Sequence, residues 1–117
     1  MKIGYDRVIH ASHELCLPYE SKCNSLHGHS YQIHVEVQKK HLDENGMVVD
    51  FTKLGKVIDQ LDHKHLNDII DNPTAENVVL YLLSQISSLL TKPFKLKVRV
   101  WETENSYAED EIEEGIK

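Results

Sequence analysis

The sequence predicts an α+β fold in which two helices pack on one face of a four-stranded antiparallel sheet. Period-two alternation of apolar and polar residues runs through 2–13, 27–40 and 94–102. Apolar residues recur at helical spacing after Asp50 and again after Thr74. The resulting order, ββααββ, places both helices between the second and third strands, and 117 residues is the size of one domain, read as 1–117.

Each element has its own signal. In the first strand Ile3, Tyr5, Ile9, Ala11 and His13 share a face, Asp6, His10 and Ser12 share the other, and Val8 breaks the pattern. Residues 14–26 hold Pro18, Asn24 and both cysteines, and read as a loop. Alternation then resumes, with Tyr31, Ile33, Val35 and Val37 against Gln32, His34, Glu36 and Gln38. The two segments should form an antiparallel ribbon. After the turn residues Asp43-Glu44-Asn45-Gly46, Asp50 reads as the N-cap of a helix. That helix carries Phe51, Leu54, Val57, Ile58 and Leu61 on one face and closes at Asp62-His63. Asn72-Pro73-Thr74 opens a second helix with Val78, Val79, Leu82, Leu83, Ile86, Leu89 and Leu90 inward, ended by Lys92-Pro93. Phe94, Leu96, Val98 and Val100 then alternate with Lys95, Lys97, Arg99 and Trp101, and 107–116 reads as a last short strand.

Composition narrows the function. The formal net charge is −6 and no basic stripe runs along any segment, which argues against a nucleic-acid partner. No apolar stretch approaches the ~20 residues that span a bilayer. Met1–Arg7 lacks the apolar run of a signal peptide, so the chain is expected to be cytoplasmic, with Cys16 and Cys23 as thiols. The unusual count is eight histidines.

Their positions matter more than their number. His27 and His29 lie two apart on a strand and so point to one side, where both imidazoles can meet a single ion. Gly28 between them removes bulk and opens the backbone to close approach. On its own, a His-x-His pair is also compatible with strand histidines that bind nothing. His13, at the end of the preceding strand, has matching parity and brings a third imidazole to the same end of the sheet. Three neutral nitrogens suit Zn2+ and leave one position open. His10, His34 and His41 fall on the polar face or in a turn and read as solvated.

Cys23 lies in the loop just before His27, where a nearby cation would favour the thiolate, although a loop cysteine is often incidental. Asp62 beside His63 suits a proton-transfer pair and equally suits a polar helix end. Glu102 continues the apolar parity of the third strand, where a carboxylate needs a strong partner or frays into solvent. The flat N–H edge of a heterocycle would supply such a partner.

Taken together, Ala11-Ser12-His13, Cys23-Asn24-Ser25-Leu26-His27-Gly28-His29-Ser30-Tyr31, Val49-Asp50-Phe51, Leu61-Asp62-His63 with Leu66-Asn67, Pro73-Thr74-Ala75-Glu76-Asn77 and Glu102-Thr103 resemble the 6-pyruvoyltetrahydropterin synthase and 6-carboxytetrahydropterin synthase family. The resemblance implies the tunnelling fold (T-fold), with sheets of several subunits joined into a barrel, as a trimer or a dimer of trimers (a homohexamer). It implies His13, His27 and His29 as zinc ligands, Cys23 as the catalytic cysteine, and Asp62 with His63 as its proton-transfer partners. Glu102 would anchor the pterin ring, and Thr74 and Glu76 would line its pocket. Three residues separate Cys23 from His27, which is similar to the carboxy-forming members. The implied enzyme is a lyase of queuosine and 7-deazapurine biosynthesis. It would convert 7,8-dihydroneopterin triphosphate to 6-carboxy-5,6,7,8-tetrahydropterin, acetaldehyde and triphosphate. Alternatives are a pyruvoyl-forming synthase that keeps the side-chain carbons, and a non-catalytic zinc-stabilised module. Ile9-His10-Ala11-Ser12-His13 and Trp101 depart from the family pattern without removing a functional group.

Overall fold

The computed structural model describes residues 1–116. Strands β1 (Lys2–His13), β2 (His27–Gln38), β3 (Phe94–Thr103) and β4 (Ser106–Glu114) form one antiparallel sheet in the order β1-β2-β3-β4. Helices α1 (Phe51–Asp59) and α2 (Ala75–Ser87) lie between β2 and β3 in sequence and cover one face of the sheet. The predicted α+β architecture is the observed one.

Register follows from burial, because slipping a strand by one residue would turn its apolar row to solvent. Ile9, Tyr31, Ile33, Val35, Val37, Leu96, Val98 and Val100 are buried on the covered face, under Leu54 and Ile58 of α1 and Val78, Leu82 and Ile86 of α2. Each such aliphatic side chain contributes roughly 1.5–3 kcal/mol by leaving water. Among the cross-strand partners this register sets are His13 with His27 and Ala11 with His29. It therefore brings the three histidines to one end of the β1–β2 ribbon.

The other face is uncovered and polar. Lys95 pairs with Glu111 and Glu113, Lys97 with Glu36, and Arg99 with Glu109. Exposed pairs of this kind are each worth about 1 kcal/mol or less, so this face adds little stability beside the core.

Both helices start where expected, and each start is capped by a side chain. The Asp50 carboxylate accepts from Thr52 N–H, and the Thr74 hydroxyl accepts from Asn77 N–H. The ends differ. α1 stops at Asp59 rather than at Asp62-His63, and residues 60–62 continue as tight turns whose N–H groups reach back three residues. At His63 the backbone turns to φ +57°, its N–H donates to the His10 carbonyl at 2.6 Å, and His10 N–H donates to the Asp62 carboxylate at 2.9 Å. Pairing with the free edge of β1 pulls the chain out of the helix. Phe51, expected inward, is 49% exposed and stacks on Tyr5, while Leu89 and Leu90 lie beyond the end of α2.

Candidate metal centre

His13 ends β1, and His27 and His29 begin β2, all on the covered face. One ligand atom each from His13, His27, His29 and Glu102 lies within 4.8 Å of the others. Glu102 follows the last regular β2–β3 pair, Gln32 with Trp101, and its carboxylate oxygen lies 3.3 Å from His29 Nε2.

The hydrogen bonds fix which nitrogens are free. His13 Nδ1 lies 2.7 Å from the Pro73 carbonyl, and His27 Nδ1 lies 2.6 Å from the Ser25 carbonyl. A carbonyl only accepts, so each Nδ1 carries the proton and each Nε2 presents a lone pair. Those two Nε2 atoms face one another at 2.8 Å, a repulsive arrangement unless a cation or proton lies between them. His29 Nε2 is buried with no hydrogen-bond partner. Two converging lone pairs, each set by a backbone carbonyl, with the unpartnered His29 Nε2 beside them, fit a divalent ion that takes nitrogen ligands.

Electrostatics agree. Burial pushes the His13 imidazole below its ordinary pKa, against the Pro73 carbonyl, which acts to raise it. Burial does the same at His29, against the pull of Glu102. Both rings are thus neutral at pH 7, the form that binds metal. Burial, reinforced by Glu102, pushes the Tyr31 phenol well above its ordinary range, so its hydroxyl stays protonated.

The other predicted site residues sit outside this cluster. Among the described residues, no hydrogen bond or ion pair joins Cys23, Asp62 or His63 to it. Cys23 lies half-buried in a single 3-10 turn (Lys22–Asn24), and its carbonyl accepts from Leu15 N–H at 2.7 Å. His63 Nδ1 lies 3.1 Å from the Asp62 carboxylate, and the His63 ring faces His10 on the uncovered side of the sheet, 5.8 Å between centroids. The His10 N–H bond holds the Asp62 carboxyl below its usual range. Thr74 is occupied as the cap of α2, and Glu76 is exposed in its first turn. A Cβ on Gly28 would make only ordinary contact with the Ala11 carbonyl at 3.6 Å, so packing within the chain does not require glycine there.

The model of the 6-pyruvoyl tetrahydropterin synthase family matches residues 2–113. The chain belongs to this family. Among its relatives, a putative 6-carboxy-5,6,7,8-tetrahydropterin synthase of Archaeoglobus fulgidus is 36% identical, over 93% of this chain and 94% of the relative. A dihydroneopterin monophosphate aldolase of Pyrococcus furiosus is 43% identical over a shorter match, 66% of this chain and 70% of its own. The structure of Caenorhabditis elegans 6-pyruvoyl tetrahydropterin synthase has a TM-score of 0.73 and 26% identity, with 94% of both chains covered. The sheet and two helices are therefore those of T-fold synthases of the family.

Several supporting residues carry no local signal. Asn67 clamps Glu14, accepting from its N–H at 3.0 Å and donating to its carbonyl at 2.8 Å. The Asn72 side chain accepts from Cys16 N–H, and Asn77 donates to the Asn72 carbonyl. These contacts tie the cysteine loop to the segment that opens α2.

Proposed function

We propose that this chain is a zinc-dependent 6-carboxytetrahydropterin synthase acting on 7,8-dihydroneopterin triphosphate. The observation that carries the reading is the convergence of three imidazole nitrogens at the sheet end that the cysteine loop adjoins. His13, His27 and His29 would hold the ion. Zinc bound there supplies Lewis-acid polarisation of the substrate's side-chain hydroxyls.

The chain's own residues do the rest. Glu102 accepts the N–H edge of the pterin ring and sets the side chain over the histidines. Cys23, as thiolate, takes and returns protons along that side chain. His63, held by Asp62, is its acid/base partner. Because His63 faces the uncovered side of the sheet, it serves the pocket of a neighbouring subunit in an oligomer built through the free edges of β1 and β4. Triphosphate leaves by elimination, and retro-aldol cleavage releases acetaldehyde, with one water consumed overall. Incubating the zinc-loaded protein with the triphosphate, weighing the pterin and assaying acetaldehyde tests this reading. A lactoyl- or pyruvoyl-bearing pterin without acetaldehyde would replace it with the carbon-retaining reaction.

Two observations favour other readings. The 43% identity to a dihydroneopterin monophosphate aldolase favours direct side-chain cleavage of a monophosphate, which repeating the assay with dihydroneopterin monophosphate separates, because that cleavage releases glycolaldehyde phosphate instead of acetaldehyde. The 3.3 Å approach of Glu102 to His29 favours a closed four-ligand site with no open position. Glu102→Gln decides the latter. As ring anchor, its loss raises KM and leaves zinc affinity unchanged; as ligand, its loss weakens zinc.

A further inference from the structure

Tyr31 stands two residues beyond His29 on the same face of β2 and is fully buried. A tyrosine in a sheet core is costly unless its hydroxyl finds a partner, and phenylalanine would fill the same space without that demand. Here the partner is a proposed metal ligand. Tyr31 Oη lies 3.1 Å from His13 Nδ1, the nitrogen that also faces the Pro73 carbonyl at 2.7 Å. The single Nδ1–H of His13 is thus shared between two acceptors, one from the sheet and one from the segment leading into α2. The ring of Tyr31 meets those of His13 and His29 edge-on, at 87° and 71°, with centroids 5.9 and 5.5 Å apart. Rotating the His13 ring would break both hydrogen bonds.

We propose that Tyr31 is a positioning residue of the metal centre, whose buried hydroxyl joins the Pro73 carbonyl in locking the His13 imidazole with Nε2 turned toward His27 and His29. This rests on reading the histidine cluster as a metal centre and extends it to a residue outside the ligand set. Groups that orient a ligating histidine through its other nitrogen typically change metal affinity about 10–100-fold when lost.

Tyr31→Phe removes one oxygen and keeps the ring. Zinc affinity of the apo proteins is measured by competition with a chromophoric chelator, and melting temperature is measured with and without zinc. The expected result is zinc binding weakened about 10–100-fold, a smaller zinc-induced rise in Tm, and an apo Tm close to that of the unmutated protein. Equal zinc affinity in the two proteins overturns the proposal. So does an equal loss of Tm in the apo and zinc-bound forms, since the hydroxyl would then serve packing alone. If the unmutated protein binds no zinc, the metal-centre reading itself falls, which is a distinct result. Nitrogen-15 NMR of the unmutated apo protein gives a check that does not depend on the variant folding. It should find the His13 proton on Nδ1, and a proton on Nε2 instead would overturn the proposal.

Discussion

At the scale of single residues, the chemistry rests on where each nitrogen and carboxylate finds its partner. The histidine triad was readable because a strand's period of two fixes side-chain direction, so His13, His27 and His29 could be placed together from parity alone. The groups that set their tautomers were not readable. The Pro73 carbonyl is 60 residues from His13 in sequence, and no local period encodes such a contact. Glu102 was legible as a carboxylate on an apolar line, but its turn toward His29 was not. Cys23→Ala is expected to keep zinc bound and to abolish turnover. Metal analysis with the acetaldehyde assay checks this, and full activity in the variant would remove Cys23 from the mechanism.

At the scale of elements, two boundaries carry predictions. Thr74 was singled out as lining the pterin pocket, and its hydroxyl caps α2. Thr74→Ala should lower stability by about 1 kcal/mol in denaturant unfolding. A raised KM with unchanged stability would instead support the pocket role. The end of α1 was misread because apolar spacing continues to Leu61, whereas the backbone is captured by the edge of β1 through Asp62 and His63. Strand-edge capture depends on tertiary position, which helical periodicity does not report. The Asp62 carboxyl is held below its ordinary pKa in the folded protein by the His10 N–H bond, so it adds stability above the unfolded value of about 3.9. That contribution disappears as pH falls through the lower folded value. In zinc-free protein, Asp62→Asn should therefore lower Tm at pH 7 and lose its effect in strong acid. A Tm difference that persists unchanged at pH 2 would contradict the assignment.

At the scale of the whole molecule, the sheet of the described residues has β1 and β4 as its outer strands and one uncovered, charged face. The 62–65 segment covers β1 at His10 and Ser12, whose outward N–H groups it satisfies, and by the same alternation Asp6 and Val8 also direct theirs outward. Free edges of this kind invite pairing with another copy. Val8→Pro removes one outward N–H without breaking the β1–β2 ladder. Light scattering should therefore find the unmutated chain at a multiple of 13.5 kDa and the variant smaller, with the same circular dichroism. The α+β layout was legible throughout, because three alternating segments and two amphipathic ones admit few packings. What pairs with the outer strands was not, since a single chain's pattern does not state what meets its edges. The most direct test of the whole account is zinc X-ray absorption of the loaded protein without substrate. Three imidazole nitrogens at about 2.0–2.1 Å with one solvent oxygen is the predicted shell, unchanged in Glu102→Gln and lost in His27→Ala. A zinc-free protein, or a shell that loses an oxygen ligand when Glu102 is replaced, would contradict it.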